Sequence, residues 1–176
     1  MGKKMTGLFS FGLMVVVLVG ALKLLNWIPS AVQDGFVREF KTVDEVNSKL
    51  GIRDIYIPSY FPQNFKWPPT AICAQTRPYS AIVMEFRDVD RGGVGLTISQ
   101  VEAGAPFIAG DRIGLSQIRE KVIYPLKGRM ASLEVGVGNN DEPCSRISWI
   151  EGKYRITVSM RSRPFDLLKI AESMLR

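Results

Sequence analysis

RISWIEGKYRITVSM, residues 146–160, carries the pattern from which the fold is read. Past Glu151, Gly152 and Lys153, the apolar Tyr154, Ile156, Val158 and Met160 alternate with the polar Arg155, Thr157, Ser159 and Arg161. A period of two belongs to a strand whose side chains point to opposite faces, and a glycine between two such runs marks a hairpin. Clean alternation predicts an antiparallel sheet packed on one face and solvated on the other.

The same period extends toward the N-terminus, predicting strands over residues 71–75, 81–87, 94–99, 121–126 and 130–137, with a turn at Asp88, Asp90, Gly92 and Gly93. Downstream, Pro164 can open a helix whose Leu167, Leu168, Ala171, Met174 and Leu175 form an apolar stripe. Upstream, Thr42 and Glu45 make a capping box for a short helix over residues 43–50, which Gly51 would end. The expected class is α+β: an N-terminal transmembrane helix, then a twisted antiparallel sheet with helices covering one face.

The membrane element is read from residues 7–28, a mostly apolar run in which Lys23 is the one charged residue, preceded by Lys3 and Lys4. Twenty-two residues span about 33 Å as a helix, against a hydrocarbon core of about 30 Å. Cleavage after Ala21 would make the run a secretory signal, and retention would make it a signal anchor; the length favours retention. Retention predicts residues 1–28 as a transmembrane helix touching the bilayer through residues 7–28, residues 29–42 as a connector, and residues 43–176 as an extracytoplasmic domain. The lysines place the N-terminus in the cytoplasm of a bacterial cell, the chain in its inner membrane and the domain in the periplasm.

The net charge of +6 does not imply a nucleic-acid partner. Three of the cations lie in or beside the apolar run, leaving 20 Lys and Arg against 17 Asp and Glu from Pro29 onward, a net of +3. The chain has no histidine, which removes histidine-based nucleophile pairs and histidine metal sites. Cys73 and Cys144 are its two cysteines, and in an exported domain they have one possible pairing. Closing that loop would stabilise the fold by about 4 kcal/mol on the chain-entropy model; two buried thiols are the alternative.

Residues 57–69 hold four prolines with Tyr60, Phe61, Phe65 and Trp67 between them, which excludes a central strand or a helix interior. Such a loop either folds onto its own core or presents Tyr60, Phe65 and Trp67 to a partner. Near the C-terminus, Arg155, Arg161 and Arg163 belong to a basic group that reads as a solvated sheet face or as contacts for anionic lipid headgroups or an acidic partner.

The remaining motifs carry no chemistry. Asp88 and Asp90 lack the oxygen ligands that a calcium loop needs at its later positions, Gly92 and Ser99 standing there instead. Neither glycine pair, 93 with 95 or 136 with 138, precedes a helix as a phosphate loop requires, and Ser116 lacks a nucleophile elbow and a base. No catalytic residue, metal ligand or cofactor is assigned.

The run WIEGKYRI, residues 149–156, followed after a polar break by FDLLKIAESM, residues 165–174, resembles the C-terminus of bacterial extracytoplasmic domains behind a single membrane helix. Sensor-like portions of anti-sigma-type membrane proteins and relatives of lipoprotein-sorting carriers belong to that group. Pro62, Gln63, Asn64 and Phe65 stand where the group has a P-x-G-[FY] loop, with Asn64 in place of glycine, tolerable in a left-handed conformation. The resemblance implies location and fold more than activity. The function expected is a membrane-anchored, non-catalytic interaction module, an accessory subunit of an integral membrane complex or a ligand sensor. The alternative is a carrier of lipid or another apolar ligand held between sheet and helix.

Overall fold

The computed structural model describes Met14 and residues 37–105 and 112–175. The sheet and both helices named below belong to one compact unit that begins at Arg38. In chain order these are β1 (Arg38–Phe40), α1 (Val43–Leu50), β2 (Ala71–Gln75), β3 (Ala81–Arg87), β4 (Val94–Glu102), β5 (Gln117–Leu126), β6 (Arg129–Val137), β7 (Pro143–Glu151), β8 (Tyr154–Met160) and α2 (Pro164–Ser173). The strands make one antiparallel sheet in the order β1-β2-β3-β4-β8-β7-β6-β5. It is two four-stranded meanders joined where β4 pairs with β8, Ile98 opposite Val158.

The inward face is built by the expected alternation. Ile72, Met84, Ile98, Val158, Ile147 and Leu133 are register partners across six strands, and all are buried. α1 packs against β1 and β2, and α2 against β7 and β8. Thr42 caps α1 by accepting from the Glu45 N–H at 3.1 Å, but the Glu45 carboxylate reaches past it to the Lys41 N–H. Gly51, left-handed, closes the helix.

Between the helices the aromatic loop covers the centre of that face. Phe61 meets Phe86 of β3 with ring centroids 5.1 Å apart, and Phe65 lies against Gly95 of β4. A Cβ on Gly95 would stand 3.0 Å from the Phe65 ring and 2.9 Å from Asp88 Cβ, so the loop seats only on glycine. Asp88, buried, receives the Asp90 and Arg91 N–H groups and the Asn64 amide, tying the β3–β4 turn to the loop. Asn64 does not adopt a left-handed backbone; its side-chain bond to Asp88 explains the residue instead.

Several expectations are corrected. The fold is not a transmembrane helix followed by a sheet that helices cover: one eight-stranded sheet dominates, two helices of 8 and 10 residues flank it, and a proline-rich loop covers its centre. No helix among the described residues is long and apolar enough to cross a membrane, which overturns the single-pass inner-membrane location and the transmembrane signal anchor. The stretch read as that anchor, residues 7–28, with the cleavage point after Ala21 and most of the connector 29–42, lies outside the described residues.

The outward face is not simply solvated. Thr97, Ser99, Thr157 and Ser159 are buried on it. Because β4 lies beside β8 while β5 forms the far edge, the β4–β5 connection must pass β8, β7 and β6. Arg155 donates to the Ala105 carbonyl, Arg112 meets Glu85 at 3.2 Å, and Arg146 donates to the carbonyl of the buried Ile113, fastening the ends of that connection to the sheet.

The disulfide is also corrected. Cys73 on β2 and Cys144 on β7 are both free. Three strands lie between them, so four strand spacings of about 4.8 Å separate the residues by roughly 19 Å, far beyond the reach of a bridge of about 4.4–6.8 Å. Burial pushes both thiols up, so neither is a ready nucleophile.

Two outcomes check this architecture. At Gly136 an added Cβ would overlap the Gln117 backbone carbonyl where β5 bulges past Arg119, so Gly136→Ala should destabilise by about 2 kcal/mol. Gly93→Ala, with nothing near its Cβ, should stay within about 0.5 kcal/mol in the same urea titration. Alkylation of the unreduced, denatured chain should modify both cysteines, and a mass showing neither modified would restore the bridge.

Candidate functional site

At one end of the inward face, the β5–β6 and β7–β8 turns, the segment after α1 and the end of α2 enclose a cleft of about 510 Å³. Its floor is the pair Arg129–Glu151. Arg129 opens β6, two residues after the left-handed Lys127, and Glu151 closes β7. The guanidinium grips the carboxylate with two parallel bonds, Nε to Oε2 and Nη2 to Oε1, the latter 2.8 Å, and Nη1 donates to the Lys127 carbonyl. This forked geometry is the strong form of the ion pair.

One wall is the extended segment 53–57. Gln100 holds it in place from an inward position of β4: its amide nitrogen donates to the Asp54 carbonyl, and its amide oxygen receives the Tyr56 N–H. A buried glutamine thus pairs with the segment as a neighbouring strand would. The opposite wall is Met174 and Leu175, where Lys127 Nζ bonds the Leu175 carbonyl. The cleft therefore offers Arg53, Asp54 and Tyr56 as polar groups and Ile55, Ile57, Met174 and Leu175 as apolar ones.

The titration directions set what these groups can do. Arg129, through its hydrogen bonds, holds the Glu151 carboxyl below the usual carboxylate range. Burial, with the Glu151 and Asp54 charges, pushes the Tyr56 hydroxyl up. Near neutral pH Glu151 is therefore an ionised acceptor holding two bonds from Arg129, and Tyr56 a neutral hydroxyl. No group of three or more thiol or carboxylate side chains suited to a metal ion occurs among the described residues.

The residues nominated from sequence fall elsewhere and apart. Of the three aromatics, Phe65 is 4% exposed and belongs to the core, so it is not a partner contact. Tyr60 is half-buried, its N–H on Ser173 Oγ and its ring 5.8 Å from Lys169 Nζ, and Trp67 alone stands out at 46% exposure. Arg155 and Arg161 sit six residues apart along an extended chain, about 20 Å, and Arg163 is at the N-cap of α2, so they form no single basic cluster. Arg155 fastens Ala105, and Arg161 faces Glu142 at 3.7 Å.

Sequence reasoning missed the cleft because its residues come from four separated stretches. One signal was present. Continuing the alternation of Leu96 and Ile98 puts Gln100 inward, where an amide must find partners. Trp149, Tyr154, Leu167, Ile170, Ala171 and Met174, which carry the resemblance to extracytoplasmic domains, are all buried packing residues. Comparison with family models, curated proteins and solved structures finds no match for this chain.

Proposed function

We propose that this chain is a non-catalytic interaction module, in which the Arg129–Glu151 cleft receives a short polar segment of a partner polypeptide. The observation that carries this reading is a cleft of ligand size whose charged floor is already matched to itself. Such a floor gives orientation through hydrogen bonds and transfers no proton, while the mixed walls suit a chain that is polar along its backbone and apolar at its side chains. The alternative of a lipid or apolar carrier has less support: Leu96, Ile98, Ile156, Leu167 and Ile170, all fully buried, fill the space between sheet and α2.

Titration of the full chain with a library of blocked tetrapeptides, followed by backbone amide shifts, tests the reading. Binders should move the signals of Tyr56, Arg129, Glu151 and Leu175, and Arg129→Ala should weaken them about tenfold or more. Where the orphaned carboxylate disturbs the fold, Arg129→Gln with Glu151→Gln gives the same comparison. With Glu151 lowered and Tyr56 raised, binding should be flat from about pH 5.5 to 8.5. The stability that Arg129 lends Glu151 is present above the ordinary carboxylate value and is lost only as pH falls through the lowered one. Turnover of a peptide, a bell-shaped pH dependence, or shifts confined to other surfaces would overturn the proposal.

A further inference from the structure

On the outward face, back to back with the cleft, the β5–β6–β7 corner exposes large apolar side chains. Ile123 and Pro125 of β5, Met130 of β6 and Ile150 of β7 share that face, Pro125 being the register partner of Met130. Ile123 is 61% exposed, Met130 72% and Ile150 54%. Ile123 ends a row that continues with small polar groups, Ser132, Ser148 and Thr157, so the apolar side chains are confined to the corner. A contiguous exposed patch of this kind marks a contact surface.

The charge around it is one-sided. The outward positions of β5 to β8 carry Lys121, Arg146 and Arg155 as cations and Glu134 as the one acid among the described residues. Glu134 is already claimed, with Lys121 at 2.8 Å and Arg146 at 3.8 Å. Arg155, the register partner of Ile150, donates to the Ala105 carbonyl and keeps its charge, and the exposed Lys153 lies in the turn beside it with its Nζ 5.2 Å from the Tyr154 ring. Glu120 and Glu151 lie on the opposite face, opposite the inward Val135 and Tyr154.

We propose that this corner is a docking surface for an acidic amphipathic helix of a partner protein, its leucine-like residues on Ile123, Met130 and Ile150 and its carboxylates facing Arg155 and Lys153. A second copy of this chain fits less well. Apposing the corner to itself sets cations against cations, and strand addition at the β5 edge is blunted by the bulge at Arg119 and by Pro125, which has no N–H. An amphipathic helix docks by laying its apolar stripe on exposed apolar side chains, with its charged flanks against the rim. The proposal rests on the chain being an interaction module but needs nothing from the cleft.

The test is fluorescence anisotropy of the full chain with a labelled helical peptide of about 18 residues, leucine at helical spacing and glutamate elsewhere, with its lysine counterpart and a scrambled control. The glutamate peptide should bind, the other two should not, and Met130→Asp or Ile150→Ser should weaken it about tenfold or more. Both sites are exposed, so the thermal midpoint should be unchanged, and Arg129→Ala should leave this binding intact. Equal binding of the scrambled or lysine peptide, no binding at all, or indifference to Met130→Asp would overturn the proposal. A concentration-dependent dimer that Met130→Asp dissolves would overturn it in favour of a second copy. Tetrapeptides that occupy the cleft should still bind the Met130→Asp chain, so failure of one surface is distinguished from failure of the other.

Discussion

The pairing of β4 with β8 is the constraint on which the rest of the molecule depends. It joins two meanders that would otherwise each have an open edge, making Leu96, Ile98, Ile156 and Val158 the centre of one continuous core. It also sends the chain leaving β4 to the far side of the sheet, where β5 pairs with β6 alone. At the described ends of that connection the sheet answers two backbone acceptors, Arg155 donating to the Ala105 carbonyl and Arg146 to the Ile113 carbonyl. The buried hydroxyls of Ser99, Thr157 and Ser159 belong to the same consequence, since that face is not left to solvent.

On the inward face, two short helices cannot cover eight strands, and the proline-rich loop does what helix cannot. Its aromatic rings supply the area, and its lack of regular structure leaves backbone groups that the sheet must answer individually. Asp88 and Gln100 answer some of them, each a buried polar residue whose partners lie in a segment distant in sequence. The cleft follows from this arrangement: where loop and helix stop short of the β5–β6 and β7–β8 turns, the sheet end stays open, and Arg129 neutralises Glu151 there with forked bonds. A carboxylate so held stays ionised, its titration kept below the usual carboxylate range.

Much of the sheet could be read in advance. Alternation located β2 to β8 within a few residues, because a half-buried strand prints its two faces directly into sequence order, and Thr42 and Gly51 marked α1 because capping is local. The disulfide could not be judged that way: that three strands separate Cys73 from Cys144 is a matter of strand order, which no local pattern encodes. The aromatic loop misled for a related reason. Phe65 and Trp67 are alike in sequence, yet one is buried and one exposed because Gly95, thirty residues away, makes room for the first.

By itself, the sequence determined the positions of seven of the eight β-strands, the caps of the short helix, the lack of histidine chemistry and the near balance of charge beyond Pro29, all of which depend on residue type and near neighbours; the short β1, read as connector, is a strand only because β2 pairs with it. The tertiary structure decided that β4 meets β8, that the sheet is covered on both faces at its centre, that Arg129 meets Glu151 and that Ile123, Met130 and Ile150 share a corner with cations around it. Those are contacts between residues remote along the chain, selected by which strand edges pair, and free energy of that kind is distributed over the whole sheet and written in no single segment.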